Sequence, residues 1–132
     1  MFETIKRKMK SHNFIIPLVV YPFDVMVSIG QTDQELKKIL KKHGVNTKSG
    51  LWKYGKNGVG RAVVFETNQT LIRLPRVPKT PKELGSLNHE IFHAVTFIMH
   101  RIGMKLIVCK SDEAYAYLIG YLTEQILIRI KK

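Results

Sequence analysis

Four residues, Thr80-Pro81-Lys82-Glu83, constrain this chain more than any others. Threonine at the cap, proline at the first helical position and glutamate at the third form a reciprocal capping box on a backbone already set for a helix. The helical pattern then continues until Gly103, which predicts a helix reaching about Ile102. Ser111 and Asp112 can cap a further helix, in which Tyr115, Leu118, Ile119, Leu122 and Ile126 follow the 3.6-residue period down to a basic end. Two long C-terminal helices need an apolar surface to pack on, and the N-terminal part of the chain must supply it.

That part reads as sheet. Residues 13–20 and 24–28 are β-branched runs separated by Tyr21-Pro22, and residues 61–66 and 70–74 are strand-like runs joined through Thr67-Asn68-Gln69, an antiparallel hairpin. Between the two pairs, Thr32 and Glu35 repeat the capping-box signature ahead of Leu36, Ile39 and Leu40, predicting a helix over about residues 33–43 that ends at Gly44. Residues 45–60, rich in Gly, Lys and Asn around Leu51, Trp52 and Tyr54, form a loop or irregular hairpin with an aromatic anchor that can lie over a cleft. The expected fold class is α+β: a small N-terminal antiparallel or mixed sheet with one helix, then two long helices, all in a single domain of residues 1–132.

Composition narrows the chemistry. The single cysteine, Cys109, permits neither an internal disulfide nor a thiolate zinc cluster, so any metal must be held by histidine and carboxylate. Twenty-two Lys and Arg against ten Asp and Glu give a formal charge of +12, which predicts nonspecific attraction to nucleic acid through the basic surface. Lys37, Lys38, Lys41 and Lys42 form the polar face of the first helix, and Lys6, Arg7, Lys8, Lys10 and residues 129–132 are terminal. No zinc-finger spacing or RNA-binding aromatic signature accompanies them. No run is long and apolar enough for a membrane span, and no small-residue cleavage site follows the basic start, so the expected location is cytoplasmic.

His89-Glu90-Ile91-Phe92-His93 is an H-E-x-x-H sequence inside the best-defined helix. Histidines four apart sit about 40° from one another around the axis and about 6 Å along it, so both imidazoles project from one face and can chelate one zinc ion. Glu90, on the neighbouring face, can serve as general base toward a metal-activated water. A catalytic zinc usually has three protein ligands. Glu113 is the candidate for the third, ahead of its neighbour Asp112, because it heads the register Glu113, Ala116, Tyr117, Gly120, whose small members allow close helix packing. Asp112 is expected to cap the helix instead. His100 shares the stripe but lies about 10 Å beyond His93, too far for one mononuclear site.

The segment from Asn88 to Val95, followed by Asp112-Glu113-Ala114-Tyr115-Ala116-Tyr117, resembles the gluzincin branch of zinc metallopeptidases, and more narrowly the small zincin-like proteins of tailed bacteriophages and prophages. The likeness covers about a third of the chain, roughly residues 80–125. It implies zinc on His89, His93 and Glu113, Glu90 as catalytic base, a peptide or protein substrate, and, for a phage-encoded member, the host cytoplasm. Four residues after the glutamate ligand many members carry an acceptor that orients a histidine. Here Tyr117 stands there, so that contact is altered or supplied from elsewhere. Of the tyrosines at 115, 117 and 121, one is a candidate transition-state donor. The expected function is therefore a zinc-dependent hydrolase, a small metallopeptidase. The alternative is a non-catalytic, zinc-stabilised basic module contacting nucleic acid or a phage structural protein.

Overall fold

The computed structural model describes residues 10–55 and 58–131. Lys6, Arg7, Lys8 and Lys132 of the basic termini lie outside the described residues. The chain forms β1 (His12–Pro17), β2 (Asp24–Ile29), α1 (Asp33–Lys42), β3 (Arg61–Val64), β4 (Thr70–Leu74), α2 (Pro81–Arg101) and α3 (Asp112–Ile130). The architecture is α+β, a four-stranded mixed sheet in the order β1-β2-β4-β3. The flanking pairs are antiparallel and the central β2–β4 pair is parallel.

Alternation along the central strands decides the layers. Val25, Val27, Ile29, Ile72 and Leu74 face α2 and α3, meeting Leu87, Ile91, Val95 and Ile98 of one helix and Leu118, Leu122 and Ile126 of the other. Met26 and Leu71 face the opposite way and pack with Leu36 and Leu40 of α1 and with Trp52. Covered on both faces, β4 is buried along its whole length, the polar Thr70 and Arg73 included. Trp52 is the aromatic anchor expected of the loop: its ring is buried and its indole N–H donates to the Thr47 carbonyl at 2.9 Å. The parallel join makes the sheet mixed and puts β3 at one edge, beside α2.

Both capping boxes form as the sequence predicts. At the start of α2 the Glu83 carboxylate accepts from the Lys79 and Thr80 N–H groups and from Arg76, which together lower its pKa from 4.5 to about 2. A carboxyl whose folded pKa lies below its unfolded value stabilises the fold above the unfolded value, and that contribution is lost as the pH falls from about 4.5 towards 2. Urea unfolding at pH 7 and pH 3 should therefore show a larger acid loss in the natural chain than in Glu83→Gln. Equal losses would mean that the box does not carry the pH dependence. Ser111 behaves differently from expectation. It makes no side-chain cap to α3, because its hydroxyl is used within the α2–α3 connection, donating to the Lys105 carbonyl and accepting from the Ile107 N–H. Asp112 is the first residue of the helix proper and not its cap.

Candidate functional site

The amphipathic division of α2 sets the site. Leu87, Ile91, Ala94, Val95 and Ile98 turn to the core, leaving His89 and His93 on the exposed face. Their Nε2 atoms are 3.1 Å apart, and the rings meet edge to face with centroids 4.7 Å apart. Without a metal this is a hydrogen bond from whichever ring carries its proton on Nε2. Phe97 stacks on His93 one turn further along, at 6.4 Å between centroids and 21° between planes, and so restricts how that ring can turn.

Glu90 points between α2 and the sheet edge. A Cβ added to Gly60, just ahead of β3, would stand 3.5 Å from the Glu90 Cγ and 3.0 Å from the Arg73 carbonyl oxygen. The missing side chain thus matters toward β4, where a Cβ would also press on the Leu74 Cδ2 at 3.0 Å, whereas its distance to Glu90 would be an ordinary contact. Between α2 and the sheet edge runs an open groove of about 780 Å³, lined by Gly60 and Ala62 on one side and by Lys82, Glu90 and the two histidines on the other.

Does this donor set suit zinc? Tetrahedral bonds of about 2.0–2.1 Å place two nitrogens about 3.3 Å apart, close to the 3.1 Å separation observed. Two histidines therefore fit a chelate with little adjustment. The remainder of a three-residue cage is not assembled: among the described residues no group of three His, Cys, Asp or Glu side chains is close enough to hold a metal. Neither ring's Nδ1 has a hydrogen-bond acceptor among the described residues, and the Phe97 ring stands against His93 alone.

Glu113 is not brought to the histidines. The inward register of α3 belongs to Tyr115, Leu118, Leu122 and Ile126, whereas Glu113, Ala116, Tyr117 and Gly120 are all exposed, Tyr117 at 75%. The expectation that small residues mark the packed face is corrected. Burial of one tyrosine and three aliphatic side chains outweighs the close approach that alanine and glycine would permit. Glu113 lies roughly opposite the packed stripe, since it is two residues, about 200°, from Tyr115. None of the three tyrosines lines the histidine groove: Tyr115 donates to the Met104 carbonyl and Tyr121 to the Pro17 carbonyl. His100 sits in a separate depression with Met104 and Tyr115.

Two further groove residues carry a signal in the sequence. Lys82 and Ser86 precede His89 on the same stripe at helical spacing, yet a reading centred on the helix start treats Lys82 only as part of a cap. Gly60 carries no local signal, because its closeness to β4 and Glu90 depends on tertiary packing. No family model, curated protein or solved structure matches this chain.

Proposed function

We propose that this protein is a small zinc-dependent hydrolase of peptide bonds, with His89 and His93 holding the metal and Glu90 acting as general base. The observation that carries the reading is the convergence of the two Nε2 atoms at chelating distance beside Glu90, in a groove bounded by a sheet edge. Bound zinc supplies Lewis acidity and lowers the pKa of water toward about 7. Glu90 is next to the pair without being its third member. There it accepts the proton of the attacking water and returns it to the leaving amine. β3 is the edge strand on this side, and its free backbone groups suit an extended peptide laid along the groove. Lys82, at the rim, favours substrates with a carboxylate at that end.

The expected result is one zinc per chain by elemental analysis after purification without chelators, with a zinc-dependent rise in melting temperature. His93→Ala should lose both, and His100→Ala should keep both. Zinc content near zero, with no thermal response to added zinc, overturns the proposal. Positions beyond the histidines are open to water, substrate or a carboxylate, and Glu113→Ala distinguishes these. A severe loss of zinc affinity puts Glu113 on the metal, whereas unchanged affinity leaves a two-histidine site completed from solution.

A further inference from the structure

On the other face of the sheet, α1 and the loop that follows it enclose a second groove, of about 630 Å³. Four exposed lysines line it: Lys37 and Lys41 from α1, Lys48 and Lys53 from the loop. Lys37 and Lys41 are one helical turn apart on one face, about 6 Å along the axis. The only carboxylate in the lining, Asp33, is taken up by the buried Arg73 guanidinium at 2.6 Å. No carboxylate pairs with any of the four lysines among the described residues. Uncompensated cations around one concavity focus a positive potential, which a bound anion relieves.

The rest of the lining says which anion. Its apolar members, Val45 and Trp52, are 5% and 2% exposed, so the groove offers a protein partner no aliphatic or aromatic anchor of the kind that dominates protein interfaces. The exposed Leu51 belongs to a different depression, with Val63 and Phe65. A buried Trp52 equally gives bases no surface to stack on. What remains is polar: Gln34, Thr47 and Asn46, whose Oδ1 already accepts from the Lys48 N–H, and the four ammonium groups, which dominate the charge and contact phosphate oxygens as point charges without fixed geometry. We infer that this groove binds the phosphate backbone of nucleic acid without reading its sequence. The sheet separates it from the histidine groove, so the inference stands apart from zinc chemistry.

The test is fluorescence anisotropy with a short labelled duplex of mixed sequence at roughly 0.15 M salt. Lys37, Lys41, Lys48 and Lys53 changed together to Gln should weaken binding at least tenfold and reduce the salt slope by about 3–4. A control removing the same charge elsewhere, Lys79, Lys105, Lys110 and Lys131 to Gln, should change affinity by less than about threefold. Should the fourfold groove variant fail to fold by circular dichroism, Lys37→Gln with Lys41→Gln is read instead and should give about half the slope change. Equal losses in groove and control variants would overturn the inference, leaving net charge as the cause. So would polyglutamate binding as tightly as the duplex at matched charge, which would make an acidic protein the partner.

Discussion

Arg73→Ala is expected to lower the free energy of unfolding by about 3–5 kcal/mol, measured by chemical denaturation at neutral pH. Arg73 is fully buried in β4 and reaches the α1 side of the sheet. Its guanidinium donates to Asp33 at 2.6 Å and to the carbonyls of Gln31 at 2.7 Å and Trp52 at 3.3 Å, and it lies 3.6 Å from the centre of the Tyr54 ring. One side chain therefore ties the strand to the start of α1 and to the loop carrying Trp52. Truncation leaves the Trp52 carbonyl without its donor and the Gln31 carbonyl with only the Tyr54 hydroxyl, opens a cavity and removes a cation from an aromatic face, losses on the order of 1 kcal/mol each. Asp33 is half exposed and can be rehydrated, so Asp33→Asn should cost clearly less than Arg73→Ala. A loss below about 1 kcal/mol for Arg73→Ala would show that these contacts are replaceable by water.

Glu90→Gln should reduce peptide hydrolysis by about 100-fold or more while leaving bound zinc unchanged. The amide keeps the size and the place in the groove opposite Gly60, but it cannot take a proton from water at neutral pH. Turnover of a quenched fluorescent peptide library, with zinc measured on the same samples, makes the comparison. Retained zinc with no hydrolysis in either the natural chain or the variant would reassign the histidines to a structural metal. Undiminished hydrolysis in the variant would remove Glu90 from the base role.

Local signals announced most of the fold. The paired boxes at Thr32/Glu35 and Thr80/Glu83, the proline at 81 and the terminating Gly103 act within a few residues, so helix positions could be read directly. The histidine pair was legible for the same reason, since four-residue spacing on a helix dictates their proximity. What failed was the orientation of α3. Two stripes competed on that helix, one of small residues and one of large apolar ones, and only packing against α2 shows that the large one is inside. Arg73 was hidden because an arginine within Thr-Leu-Ile-Arg-Leu reads as the solvent-facing member of an alternating strand. Its partners come from residues 31, 33, 52 and 54, distant in sequence and gathered by the crossover.

The order of strands also bears on how the chain is made. β1 and β2 are neighbours in sequence and can zip together as soon as both leave the ribosome, as can β3 and β4. β2 must mate along its other edge with β4, Val25 with Thr70 through Ile29 with Leu74, and its Val25, Val27 and Ile29 side chains need α2 and α3 as cover. A nascent chain therefore carries a ribbon whose β2 edge stays open until β4 emerges and whose apolar face stays bare until α2 and α3 do, the interval in which such surfaces recruit neighbouring chains. Vulnerability to misassociation is in this way timed by translation, and it closes only when the C-terminal helices arrive.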